Sequence, residues 1–336
     1  WNRISTKFNV TIGIPVQVLA LKSGLNKTLI KEDFSKSFLA YLPEASITYK
    51  PKPGTNWTFR IDGNQISPNG SDLLVNQYNS NPLIIVFGNP TLKPTISYSS
   101  SIRYSSSNRK TNMFSNFSLN YTQRFNNFGK EVVFDDATGI QTIKTINVGQ
   151  NSNFSFFGGT NIPVSIKNLS VNTSVNAYSF NRLSTLNGQK NKSSNYTFGE
   201  NIEVSYSIKD VFDVSINSGV EYNILKNTLR KNMLGNYFSF KNDLGLSYEP
   251  LKKWVFDVDI FHTALPTQQV LTLNASIKRY FFEKRSLYME LQGFDILNQN
   301  SSVSRYILEN AIVDSQSNNI RQFFYLKLNS KLNKLK

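Results

Sequence analysis

The property that most constrains this chain is an apolar–polar alternation running past the point where a soluble strand would stop. Ile4, Thr6, Phe8, Val10, Ile12, Ile14, Val16, Val18 and Ala20 interleave with Arg3, Ser5, Lys7, Asn9, Thr11, Gly13 and Gln17. A period of two sends successive side chains to opposite faces of an extended strand. Soluble strands average about 5–6 residues, whereas a membrane-crossing strand needs about 9–11 and commonly projects further outside.

The pattern recurs along the whole chain. Leu39 to Tyr49 and Trp57 to Ile61 flank a tight KPKPG turn at 50–54. Tyr98, Ile102 and Tyr104 turn back through SSNRKTN to Phe117, Leu119 and Tyr121. An arm, EVVFDDATGIQTIKTIN, carries a hairpin tip at Asp136-Ala137-Thr138-Gly139. Further alternating runs follow around Val171, Val204, Ile216, Leu244, Val258, Leu273 and Leu291, and the last covers 320–328. The expectation is about 14 antiparallel strands joined alternately by short basic turns and long polar loops, the latter including 21–36 and 183–195. In outer-membrane barrels the short turns are periplasmic and the long loops extracellular, which would put Trp1 and Lys336 on the periplasmic side. Tyr49 with Trp57, Tyr206 with Phe212, Tyr248 with Trp254, and Tyr280 with Tyr288 bracket short turns, where an interfacial aromatic girdle belongs. The reading is all-β, a transmembrane antiparallel barrel domain over 1–336, with Ile216 and Val258 facing lipid. A soluble sandwich or β-helix is the alternative.

Composition agrees. Charged residues make up only 18% and aromatics 13%, at a mean hydropathy of -0.33. That balance suits strands with one face in lipid and one in water. No run is long and apolar enough for a membrane helix. The absence of Cys removes disulfides and thiolate chemistry, and the one histidine, His262, removes His-pair metal motifs; it reads as an incidental loop-edge residue. The start at Trp1 points to a processed chain or part of a longer one.

The net charge of +15 invites a nucleic-acid reading, but no binding motif accompanies it. Lys50, Lys52, Arg109, Lys110, Lys167, Lys209, Lys252, Lys253, Lys284 and Arg285 fall in turns that would meet anionic headgroups. Lys22, Lys27, Lys31, Lys190, Lys192, Lys226, Arg230 and Lys231 fall in the outer joints. A basic lumen for an anionic solute stays open as an expectation. No catalytic or metal constellation is present: Asp135-Asp136 is turn chemistry, and Gly158-Gly159 is a bend or bulge. No cofactor is expected. Tyr78 and the apolar run 83–87 are conceivable substrate contacts, with packing inside the loop as the plainer role.

One stretch is not a strand. At 81–94, NPLIIVFGNPTLKP stops a short apolar run with Gly88-Asn89-Pro90 and closes on Pro94. Proline forces its predecessor out of helical geometry and glycine supplies positive φ, so this is an ordered crossing. Followed by TISYSSSIRYS, it resembles the GNPxLKP crossing of the Bacteroidetes outer-membrane β-barrel family, the C-terminal barrels of TonB-dependent receptor-like proteins. GFDILNQNSSVSRYILEN, followed by a polar loop and RQFFYLKLNSKLN, resembles that family's closing segment. The residues carrying the likeness are Gly88, Asn89, Pro90, Leu92, Lys93, Pro94, Phe294, Asp295, Leu297 and Asn298. They are structural marks and name no ligand.

The resemblance implies the barrel portion of a TonB-dependent outer-membrane receptor that takes up a nutrient. It also implies a plug moved by the TonB system, contact with outer-membrane lipid and lipopolysaccharide, and in some arrangements a surface lipoprotein as partner. Three departures stand out: no plug, about 14 strands where a complete receptor barrel has 22, and no terminal aromatic. The other readings are a passive porin-like barrel of about 14 strands and a docking platform without transport.

Overall fold

The computed structural model describes residues 2–27, 30–74, 78–209, 211–231, 235–282, 285–307 and 312–330. Trp1, Lys284 and Lys336, and the side chains of Lys27, Lys31 and Tyr78, lie outside that description. Among the described residues one 19-stranded sheet dominates.

The chain begins with β1 (Asn2–Ile4) and β2 (Phe8–Gly13). Beyond Pro15 the second stave continues as β3 (Val16–Lys27), which turns into β4 (Ile30–Tyr41) and, past Pro43, β5 (Glu44–Tyr49). The Leu42 amide donates to the Pro15 carbonyl at 2.9 Å across this double bend. Next come β6 (Thr55–Ile66), the short α1 (Gly70–Leu73), β7 (Tyr78–Asn81), β8 (Ile84–Phe87), β9 (Thr95–Asn108) and β10 (Met113–Phe125). An arm, β11 (Phe128–Phe134) and β12 (Gln141–Asn147), precedes β13 (Asn151–Ile162). The tallest staves follow: β14 (Leu169–Leu186), β15 (Gln189–Ile208), β16 (Phe212–Asn227) and β17 (Asn236–Leu251). β18 (Trp254–Leu265), β19 (Gln268–Tyr280) and β20 (Leu287–Phe294) lead to a separate hairpin, β21 (Ser301–Ile307) and β22 (Ile312–Asn318), and then to β23 (Phe323–Ser330).

The wall is an up-and-down meander in which every neighbour is antiparallel. Its order is β1, β2/β3, β5/β4, β6, β9, β10, β13, β14 through β20, and β23: fourteen long staves among the described residues, with the three-residue β1 as an edge strand beside β2. No described ladder joins β23 to β1 or β2, so the sheet runs open from one edge to the other. Two parallel ladders tie in the arm, β8 with β12 off the wall and β11 with the upper end of β14 at Ser184–Leu186.

Register divides the side chains by parity. Ile216 lies between Val204 and Leu244, and Val258 between Leu246 and Ala275, on one continuous apolar face. That face is strongly exposed, as at Ile14 (68%), Ile216 (50%) and Leu328 (70%). The opposite, concave face carries Ser, Asn, Asp and Glu. Exposed leucine and phenylalanine over an entire sheet surface would be ruinous in water and is what a lipid-facing wall requires.

Several sequence expectations change in detail. Residues 21–36 belong mainly to the β3–β4 ladder, and 183–195 to an 18-residue and a 20-residue strand joined at Asn187-Gly188. Those two residues adopt φ 46° and 78°, the left-handed pair a two-residue hairpin needs. β18 and β19 likewise meet at Pro266-Thr267, so outer joints are not uniformly long. Height above the membrane is reached by lengthening strands, whose backbone groups stay paired. His262 is a strand residue in β18, not a loop-edge one. The last strand starts at Phe323, and Ile320 precedes it. Tyr280 pairs in register with Tyr288, and by parity the two share the concave face of the Lys278↔Glu290 pair. Their rings, 5.5 Å apart, therefore do not belong to the lipid girdle. The Phe212–Tyr248 contact (6.3 Å) and the Trp57–Tyr104 contact (4.6 Å) do.

Placing Arg at Ile216 or Val258 should destabilise the folded barrel in lipid vesicles by about 2–4 kcal/mol where the position is mid-bilayer. Denaturant titration of the heat-modifiable gel band reads this out; an unchanged midpoint for both variants would reverse the facing.

Candidate functional site: inner wall and outer closure

The crossing at 81–94 is built as a wedge. β8 pairs with β12 in parallel, from Ile84↔Gln141 to Phe87↔Lys144. Gly88 then passes so close to α1's end that a Cβ there would sit 1.6 Å from the Leu74 carbonyl oxygen. Its φ is not left-handed; the glycine is required for space and not for a positive φ. Asn89 is buried. Its amide nitrogen donates to the Thr145 carbonyl at 2.9 Å, and its carbonyl oxygen accepts from the Thr91 backbone (3.1 Å) and hydroxyl (2.6 Å). Pro90 presents its carbonyl to Lys36 Nζ at 3.0 Å. Leu92 is 1% exposed and packs with Leu73, flanked by Leu21 and Phe128. Lys93 exchanges both backbone hydrogen bonds with the Asn147 side chain, each 2.9 Å, and Pro94 delivers the chain to buried Thr95. Below the wedge, Thr145 donates to Asp72 at 2.7 Å, and Lys130 reaches Thr145 at 2.8 Å.

The closing motif lies elsewhere. Phe294 stacks on Phe323 at 4.7 Å and ends β20. Asp295, 2% exposed, accepts from the amides of Gln299 (3.0 Å) and Asn300 (2.8 Å), while its own amide donates to Asn274 Oδ1 at 2.9 Å. Asp295 and Asn298 take left-handed φ values of 44° and 57°, a tight reversal these short polar residues tolerate. Leu297 is exposed. No described contact joins this group to 88–94. The ten motif residues therefore make two separate braces.

The reversal at Asp295 launches the β21–β22 hairpin across the upper staves. Arg305 pairs in bidentate fashion with Asp314 (2.5 and 2.6 Å) and lies over the Tyr237 ring at 5.1 Å. Thr267, in the β18–β19 turn, donates to Asp314 at 3.0 Å. Tyr237 pairs in register with Asn223, which accepts from fully buried Thr197 at 2.7 Å. The hairpin thus leans on the concave side of β17. Hydrogen bonding by Arg305 holds the Asp314 carboxyl below its ordinary value and raises Arg305. At the β11–β12 tip, hydrogen bonds from the Thr138 hydroxyl and the Ala137 amide lower Asp135, in keeping with turn chemistry.

The concave wall also contains groups that sequence reading did not single out. A recess of about 530 Å³ between β15 and β20 is lined by Asp213, Asp257, Asp259 and Glu290 among serines and amides. Ser247 (2.7 Å) and Ser276 (3.0 Å) donate to Asp257, and Ser207 donates to Asp213. Lys278 stands 3.5 Å from Glu290 and 3.9 Å from Asp257, and Lys327 stands 3.9 Å from Glu290. Four carboxylates against two ammonium groups make this part of the wall acidic despite the net charge of +15. The signal was available in WVFDVDIF, where Asp257 and Asp259 occupy the parity opposite to Phe256, Val258 and Ile260. No group of three or more His, Cys, Asp or Glu among the described residues is arranged to hold a metal ion.

An antiparallel wall, apolar outside and polar inside, meets its family at this point. Residues 3–253 match the outer membrane protein beta-barrel family. The chain belongs to that family. It resides in the bacterial outer membrane. No curated protein matches the sequence. Among solved structures it is similar to the ferric-catecholate import receptor Fiu of E. coli K12 in its open form, at 9% identity and a TM-score of 0.44, covering 98% of this chain and 62% of that one. It is also similar to a Pseudomonas aeruginosa FadL homologue (8%, 0.34, 96% and 89%) and to the Pseudomonas putida toluene transporter TodX (8%, 0.31, 97% and 88%). The family member described here thus spans less than two thirds of the Fiu chain.

Two outcomes follow from this geometry. Asn89→Ala leaves the Thr145 carbonyl and the Thr91 groups without their buried partner, costing about 1–3 kcal/mol locally. Hydrogen exchange of 84–92 should accelerate while barrel melting holds. The Asp314 carboxyl is depressed on folding, so its stabilisation is whole above the ordinary aspartate value of about 4 and is lost as pH falls through the folded value. Protection factors in β21–β22, with the intrinsic exchange rate at each pH divided out, should stay flat from neutrality to about pH 5 and fall below about 4, and Asp314→Asn should abolish that step.

Proposed function

We propose that this barrel is the wall of an energised uptake receptor, carrying a solute inward past a plug coupled to TonB. The observation that carries the reading is the pairing of a polar concave wall with two folded outer closures, the 81–94 wedge and the β21–β22 hairpin. A barrel that only leaks has no use for a mouth tied down by buried hydrogen bonds; a receptor that captures and then releases does. The two motifs around Gly88 and Asp295 support the same family-level reading.

The staves belong, on this proposal, to a larger barrel of 22 strands. The edge of β23, unpaired among the described residues, supports it, since backbone groups facing lipid must find partners. The acidic recess favours cationic or neutral hydroxylated solutes over anions. A passive pore is the second reading, favoured by the count of fourteen staves, which lies in the range closed barrels adopt.

The test is uptake in cells with and without a functional TonB system, alongside planar-bilayer conductance. Receptor function predicts TonB-dependent accumulation and no steady conductance. A steady conductance without an energy source would establish the passive pore instead. In that case Asp257→Asn with Asp259→Asn should reduce its cation preference.

A further inference from the structure

The lipid-facing side of β15–β18 bears a polar row where the rest of the band is apolar. Ser218 pairs in register with Asn242, and Asn242 with His262. Glu200 stands diagonally beside Ser218, whose direct partner on β15 is Ile202. The row has apolar residues below it, at Ile216, Leu244 and Ile260, and aromatic ones above, at Phe198, Tyr222 and Phe240. Between those levels, Glu200 is the single outward charge among the described residues, and Asn242 and His262 are the single outward amide and imidazole. A carboxylate or imidazole facing hydrocarbon is costly and marks a contact.

The hydrogen bonds give the row a direction. Ser218 Oγ donates to Asn242 Oδ1 at 2.7 Å, which leaves Asn242 Nδ2 to donate to His262 Nδ1 at 3.2 Å. An accepting Nδ1 places the neutral ring's proton on Nε2, so the chain ends in an outward donor. At the other end Glu200 accepts from no described group. The row therefore runs from an acceptor, Glu200, to a donor, His262, across neighbouring staves.

We infer that this row is the contact for a second copy of the chain, packed side by side in the membrane about a twofold axis along the membrane normal. That rotation reverses the row. It sets Glu200 of each copy against His262 Nε2–H of the other, and the Ser218–Asn242 pair against its own counterpart near the axis. A self-complementary patch of this kind is what an isologous interface needs, and removal from lipid is what makes the unpartnered carboxylate tolerable.

The chain has no cysteine, so cross-linking can be site-specific. Two differently tagged full-length copies, one Glu200→Cys and one His262→Cys, are co-expressed and oxidised in intact outer membranes, with heat-modifiable mobility verifying folding. The expected product is a disulfide-linked heterodimer of twice the chain mass, at least tenfold more abundant than the Glu200→Cys homodimer. Folded copies without cross-link would overturn the inference. So would equal cross-linking through Phe59→Cys, on the outward face of β6 and many staves from the row, or a product of any other mass, which would assign the row to a different protein.

Discussion

Everything in this molecule depends on one constraint: a backbone in hydrocarbon has no water to bond with, so each amide and carbonyl needs a partner in the chain. The meander meets it by ladders that continue register after register, as in the eighteen pairs from Leu169↔Tyr206 to Leu186↔Gln189. Once neighbours are fixed at that spacing, parity assigns every side chain to lipid or to the lumen. A one-residue slip in β16 would exchange Ile216 for Ser215 on the outside, so burial and register enforce each other.

Parity also resolves the charge. The net +15 is an average over surfaces that behave differently. Basic residues gather at the turns, where Arg279 lies over Trp254 at 5.1 Å and Arg285 over Tyr280 at 4.9 Å. The concave wall around Asp257 and Glu290 is acidic. Net charge summed over the chain is therefore no guide to the charge of that recess.

What sequence could and could not reveal follows from the same geometry. Period-two alternation is a direct print of parity, so the staves, their antiparallel order and the outward placement of Ile216 and Val258 were legible. The outer ends were not, because above the bilayer both faces of a strand meet water and the apolar print fades, as in residues 183–195. Only Asn187-Gly188 marked that turn, as a left-handed pair. The wedge at Gly88 was legible as ordered backbone, but its reason, the approach of the Leu74 carbonyl, depends on a contact that no local pattern encodes. His262 illustrates the converse: a lone histidine read as incidental acquires meaning only when register sets it beside Asn242.

The abundance of asparagine has a physical source in the same ladders. Where a stave ends, the next amide and carbonyl lose their neighbour, and an asparagine side chain offers one donor and one acceptor at nearly peptide spacing. Asn147 gives both to Lys93, at 2.9 Å each. Asn187 gives both to Phe134, at 2.8 and 3.4 Å. Asn161 accepts from the Phe114 amide and donates to the Asn112 carbonyl. The outer closure has an apolar core of little more than Leu73, Leu92, Leu21 and Phe128. Side-chain amides that imitate one more rung of the ladder supply the order such a core cannot. A composition that looks like low-complexity polar filler is therefore the means by which a barrel carries folded structure beyond its membrane.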